Sequence, residues 1–115
     1  MPHRLFVYGT LAPGRSNAHV LASVPGTWER AHVRGTVLDV TWGPAAGYPG
    51  LVLGEHGGDV QGLVLTSDAL PAHWERVDAF EGEGYARVPV QATLDGSGAK
   101  VQAFVYVLSA LGLRR

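Results

Sequence analysis

The sequence has no cysteine, a single lysine, one methionine and no long apolar run, and each absence removes a class of chemistry. Without cysteine there are no disulfides, thiolate metal sites or cysteine nucleophiles. No apolar run approaches the ~20 residues needed to span a bilayer. The opening "MPHRLFVYGT" lacks the longer apolar segment of a signal peptide, so the expectation is a soluble, cytoplasmic protein. Nine basic residues against ten acidic ones give a net charge of −1, which is not the basic footprint of a nucleic-acid binder. Eight of those nine are arginine, a skew that fits a GC-rich genome better than phosphate recognition. His3, His19, His32, His56 and His73 form no H-x-H or H-x-x-x-H pair, so no metal site is expected. No G-x-S-x-G elbow is present for serine catalysis. The tryptophans and tyrosines form no evident platform for stacking bases.

The 115 residues suit one domain spanning 1–115, and 46% hydrophobic content is enough for a core. Sixteen glycines and seven prolines cut the chain into short segments, most of them strand-like. "RLFVYG" is a compact apolar run ending at Gly9, and "AHVRGTVLDV" alternates as a strand does. "GPAAGYPG" reads as a loop, and "HGG" between "LVLGE" and "DVQGLVLTS" reads as a hairpin turn. In "ARVPVQATL", Val88, Val90, Ala92 and Leu94 share a face, while Pro89 points to an edge or bulge. "VQAFVYVL" is a last strand, apolar on both faces. Two helices are expected, one over "SNAHVLASV" capped by Ser16 and one starting near Pro71 with Ser67 or Asp68 as its cap. About six strands and two short helices make an α+β fold with a curved or barrel-like sheet.

Two features can carry chemistry. The first is the turn Tyr8 to Arg15, "YGTLAPGR", where glycine at the end of a buried strand lets backbone approach a ligand. Its consecutive amides can form a nest for a carboxylate or oxyanion, with donors of the following helix nearby. A plain strand-to-helix turn is the simpler alternative. A phosphate P-loop is not met, since Arg15 and Ser16 follow Gly14 where Lys and Ser/Thr are required. The second feature is Glu81. On the helix from Leu70, Trp74 lies at about 40°, Val77 at about −20° and Glu81 at about 20°, so the carboxyl sits inside the apolar stripe. Burial raises a carboxyl pKa, and the negative pole of the helix C-terminus pushes the same way. Such a group can exchange protons near neutral pH. The structural alternatives are an ion pair with Arg87 or Arg4, or a helix ending before position 81. Asp78 and Glu75 read as solvated, and Trp74 as core.

"LFVYGTL", "GYPGLV" and "VDAFEGEGYARVPV", in this order and spacing, resemble the γ-glutamylcyclotransferase-like, or AIG2-like, family over roughly Arg4 to Leu108. The resemblance implies a small mixed β-barrel with short flanking helices and one cavity. It implies cyclisation of a γ-glutamyl amine or peptide to 5-oxoproline with release of an amine, without metal or cofactor. Matched residue by residue, Tyr8, Gly9, Thr10 and Leu11 correspond to the substrate-binding loop, Glu81 to the acid/base glutamate and Tyr85 to the tyrosine after it. Tyr48 and Pro49 either line the cavity or form a tight loop, and Asn17 and His19 match a more variable pattern. The implied partner is a small γ-glutamyl compound, with neither nucleic acid nor membrane, and the oligomeric state stays open. A non-catalytic binding module using the same cavity is the rival reading.

Overall fold

The computed structural model describes residues 3–40 and 46–109. Within them, strands β1 (Arg4–Val7), β2 (Thr27–Asp39), β3 (Pro49–Leu53) and β4 (Gly58–Thr66) precede helix α1 (Leu70–Glu81). Strands β5 (Tyr85–Leu94) and β6 (Lys100–Leu108) follow it. The strand order is β3-β2-β4-β1-β6-β5, and a further pairing of β2 with β5 closes five strands into a barrel, leaving β3 as an added strand. Among the described residues one pairing is parallel, Leu5 opposite Phe104 between β1 and β6, and it makes the barrel mixed. This is the expected α+β barrel.

Side-chain alternation divides the apolar residues between two cores. Phe6, Ala31, Val33, Val64, Ala92 and Val105 gather on one face of the sheet, joined by Val88, Val90 and Leu94. Leu5, Val7, Leu65, Leu70, Val77 and Tyr106 gather on the other, where α1 packs. The double-sided apolar character of β6 follows: Ala103 and Val105 serve the first core, Phe104 and Tyr106 the second. Pro89 pairs with Phe104 of β6, while β5 meets β2 only at Thr93 and Leu94. The missing amide of Pro89 therefore lies in the stretch of β5 that has no ladder on its other side, as an edge position allows.

Several local expectations are corrected. "HGG" does not close a hairpin, because β3 and β4 both pair with β2 and not with each other, Gly35 facing Leu53 and Gly58. The chain instead passes across β2 at Gly35, where a Cβ on Gly57 would lie 2.4 Å from the Gly35 carbonyl oxygen. Gly57→Ala is expected to cost about 1–3 kcal/mol through this backbone clash, measured as a lowered urea midpoint. "GPAAGYPG" is not wholly loop, since Pro49 and Gly50 open β3; positions 41–45 lie outside the described residues. Gly50 fits there because the Leu108 side chain occupies the place of its Cβ.

"SNAHVLASV" forms only a 3-10 turn, Ala18–Val20, among other turns. Ser16 does not cap it, and the neighbouring Asn17 is spent on Thr10, its amide donating to the Thr10 carbonyl (2.9 Å) and Nδ2 to Thr10 Oγ1 (3.0 Å). The apolar positions keep their role even so, with Val20, Leu21 and Val24 all buried. At α1, the cap position is Ala69, whose amide donates to Ser67 Oγ, so neither Ser67 nor Asp68 caps the helix directly. Among the described residues no helix is long and apolar enough to cross a membrane.

Candidate active site

The sequence after α1 explains how Glu81 and Tyr85 come to share a cavity. Glu81 is the last helical residue, and Gly82 follows with φ of 78°, a left-handed conformation that favours glycine. The Gly82 amide donates to the Asp78 carbonyl (3.0 Å), and the Tyr85 amide donates to the Gly82 carbonyl (3.3 Å). The chain thus reverses within four residues and starts β5 at Tyr85. Had the helix stopped before position 81, as one sequence alternative allowed, the carboxyl would not end the Leu70–Val77 stripe.

A cavity of about 210 Å³ lies where the end of β1, the C-terminus of α1 and the starts of β3 and β5 meet. Tyr8, Gly9, Thr10 and Leu11 supply one wall. Glu81 and Tyr85 supply another, and Tyr48 and Pro49 a third. Tyr8, Gly9, Thr10, Leu11, Tyr48, Pro49, Glu81 and Tyr85 thus all line one cavity. Asn17 also lines it, whereas His19 stands behind Phe80, ring edge to ring face at 6.4 Å. Sequence reasoning missed Phe6, Val7, Phe80 and Tyr106. Phe80 lies about 80° from the stripe centre, too far for a core assignment. Tyr106 sits in a strand apolar on both faces, where a period of two cannot say which face meets a cavity.

The tyrosines hold the walls together. Tyr8 donates its hydroxyl to the Tyr106 carbonyl (2.7 Å) and accepts the Leu51 amide (3.1 Å), tying β1 to β6 and β3. Burial pushes its phenol far above the ordinary range, so it stays protonated in that bridge. Tyr85 donates to the Pro49 carbonyl (2.7 Å), and burial, with the Glu81 carboxyl adding to it, pushes its phenol up to about 12.

The loop wall is built differently. The Ala12, Arg15 and Asn17 amides close turns onto Gly9, Ala12 and Thr10 carbonyls. Among the described residues, the amides of Gly9, Thr10 and Leu11 meet no acceptor, which leaves consecutive donors for a ligand. Gly9 itself keeps negative φ; the left-handed position in this loop is Gly14. A Cβ at Gly9 would only touch the Pro49 ring at 3.4 Å, so neither a clash nor a left-handed backbone requires glycine here.

Glu81 has no hydrogen bond or ion pair among the described residues. Burial alone pushes its carboxyl up to about 7, from an ordinary value of 4.5. The ion pair with Arg87 that would have prevented this is not formed. Asp78 takes Arg87 instead, through Nε (2.9 Å) and the terminal nitrogen (3.3 Å), and also accepts the Tyr106 hydroxyl (2.6 Å). Arg87 lies over the Trp74 ring, 4.2 Å from its centre, so Trp74 is a half-buried platform and not a fully enclosed core residue. Asp78 is exposed, as expected, and it is also the counter-ion of Arg87. Its carboxyl is held below the usual range by Arg87 first and Tyr106 next, against the opposing effect of burial. Asp78→Ala is expected to cost about 1–2 kcal/mol, discounted for exposure of the pair, as read from urea unfolding at pH 7.

Among the described residues no group of three or more His, Cys, Asp or Glu side chains could hold a metal ion. The cavity is thus lined by one carboxyl of raised pKa and by the residues that carry the unengaged amides.

The comparisons agree with this fold. An AIG2-like protein of the mouse has 27% identity and a TM-score of 0.74, with 96% of this chain and 78% of that one covered. YkqA from Bacillus subtilis gives 27% and 0.73; the match covers 95% of this chain but only 36% of that longer one. At3g28950.1 from Arabidopsis thaliana gives 27% and 0.71, covering 94% and 62%. No curated protein sequence matches the chain. Residues 5–114 match the family described as gamma-glutamyl cyclotransferase, AIG2-like. The chain belongs to that family.

Proposed function

We propose that the protein is a cofactor-independent cyclotransferase that converts a γ-glutamyl amine or γ-glutamyl peptide to 5-oxoproline and a free amine. The observation that carries this reading is the lone Glu81 carboxyl, with a pKa near 7, on the same small cavity as the unengaged amides of Gly9 to Leu11. The substrate supplies its own nucleophile. Its α-amine attacks the γ-carbonyl carbon, forming the ring C–N bond, and the bond to the leaving nitrogen breaks. Ionised Glu81 takes the proton that the α-amine loses and returns it to the leaving nitrogen, so the enzyme ends as it began. The loop amides support the α-carboxylate or the oxyanion of the tetrahedral intermediate. Curling the glutamyl chain against the cavity walls supplies the proximity advantage of an intramolecular attack. Tyr8 and Tyr85, with hydroxyls committed to backbone carbonyls, act as walls and positioning groups, not as proton donors to substrate.

The test is incubation with a panel of γ-glutamyl amines and peptides and assay of 5-oxoproline. Product from at least one member is the expected result. Ligand-dependent thermal stabilisation across the panel with no product would replace the enzyme by a binding module using the same cavity.

A further inference from the structure

Arg34, Arg76 and Arg87 each have a partner: Arg34 donates to Asp59 (2.9 Å), Arg76 to the Val20 carbonyl (2.6 Å) and Arg87 to Asp78 (2.9 Å). The side chains of Arg15 and Arg30 are exposed and make no hydrogen bond or ion pair among the described residues. They come from different elements, the turn after β1 and strand β2, yet they line one open pocket of about 390 Å³. That pocket adjoins the candidate active cavity, with Val7, Tyr8 and Gly9 lining both. The acid on the pocket, Asp95, is already taken by His32, whose Nδ1 lies 2.8 Å from its Oδ1. Two unpaired guanidinium groups are thus left side by side on a protein whose net charge is −1.

The chemistry of the two groups selects their ligand. A carboxylate presents two oxygens and is matched by a single guanidinium fork. A phosphate monoester carries about −1.5 to −2 charges at pH 7 and three terminal oxygens, enough to engage two guanidinium groups at once. The size of the pocket falls within the ~300–1,000 Å³ of small-molecule sites, which leaves room for an organic group beside Pro13 and Leu63. The arrangement is not a P-loop, because only a 3-10 turn follows Gly14 and side chains supply the charge.

The turn that carries Arg15 has something to gain from such a ligand. From Gly9 to Arg15, its hydrogen bonds among the described residues run only within the turn or to Asn17 and Ala18 just after it. Leu11 and Ala12 anchor one side of it in the core, and no hydrogen bond ties the other side to β2. We propose that this pocket binds a phosphate monoester of a small organic molecule, whose phosphate bridges Arg15 to Arg30 and braces the turn that walls the active cavity. The bridge would hold in place the unengaged amides of Gly9, Thr10 and Leu11, so occupancy of this site acts on the neighbouring cavity. Binding here does not depend on the cyclotransferase reading.

The test is calorimetric titration of the whole chain with phenyl phosphate, inorganic phosphate and benzoate at pH 8 and about 0.15 M salt. Phenyl phosphate is expected to bind one to one, about tenfold or more tighter than either of the others. Arg15→Gln and Arg30→Gln, each checked for a native circular dichroism spectrum, should weaken it about tenfold. Arg34→Gln, on the same strand as Arg30 but off the pocket, should leave it unchanged. Hydrogen exchange of the Gly9 to Ala12 amides should slow about fivefold with phenyl phosphate bound. No saturable binding of phenyl phosphate overturns the site, as does binding that survives either Arg15→Gln or Arg30→Gln, or that Arg34→Gln weakens equally. Equal affinity for inorganic phosphate overturns the ester, and equal affinity for benzoate overturns the phosphate. Unchanged exchange with ligand bound overturns the bracing. The assay of 5-oxoproline is separate, so this site and the cyclotransferase reading fail independently.

Discussion

Glu81→Gln is expected to reduce 5-oxoproline formation by about 10²–10⁴-fold while leaving the fold and the cavity in place. The substitution keeps the shape of the side chain and removes only its ability to exchange a proton. In the proposed mechanism the loop amides and the tyrosine-braced walls hold the glutamyl head, and the substitution touches neither, so KM should change little. The loss should therefore fall on kcat. The unaltered protein should lose kcat/KM as the pH drops below about 7, since the proposed mechanism needs ionised Glu81 to accept the proton from the attacking amine. Activity of the Gln variant equal to that of the unaltered protein would sink the assignment of Glu81, whatever the substrate.

The second large effect concerns stability and does not depend on any substrate. A carboxyl at about 7 in the folded protein and at an ordinary 4.5 in the unfolded chain binds more protons when folded, throughout the interval between those values. Stability must therefore fall as pH rises from about 4.5 to about 7, then level off. The displacement corresponds to about 3 kcal/mol, taken as an upper limit because the carboxyl faces a cavity open to solvent. Glu81→Gln removes this term. The variant should be more stable than the unaltered protein by up to about 3 kcal/mol at pH 8, with the advantage vanishing below pH 4.5.

Other groups titrate in the opposite sense. Asp78 and Asp59 are held below 3.8 by Arg87 and Arg34, so their contribution is present above that value and lost as pH falls. Because both proteins share those carboxyls, their effects cancel in the difference. Urea unfolding of the pair at pH 4, 6 and 8 measures it. A constant difference across the three values would show that Glu81 is not held in its neutral form by burial.

A gain in stability at pH 8 together with a loss of activity would show the same carboxyl acting against the fold and for the reaction. That pairing is expected where a site keeps a proton-exchanging group out of water.

The chain by itself determined the strand content and the inward direction of Glu81. Period-two alternation placed Val88, Val90, Ala92 and Leu94 on one face, and the helical stripe from Leu70 through Val77 carried the carboxyl to the core side. These are local periodicities, set by the geometry of a single element. The short motifs Y-G-T-L and E-G-x-x-Y likewise marked the family over most of the chain.

Tertiary structure decided what local patterns cannot hold. "HGG" has hairpin chemistry, but only the close approach of Gly57 to Gly35 sends the chain across β2 instead of back along β3. Ser16 has capping chemistry, but the folding of Asn17 onto Thr10 leaves no helix for it to cap. On sequence grounds Arg87 was a candidate partner of Glu81, and Asp78 read as solvated. Its position on β5, over Trp74 and against Asp78, gave it to the aspartate. That choice of partner is a long-range event, and it leaves the glutamate alone with its raised pKa.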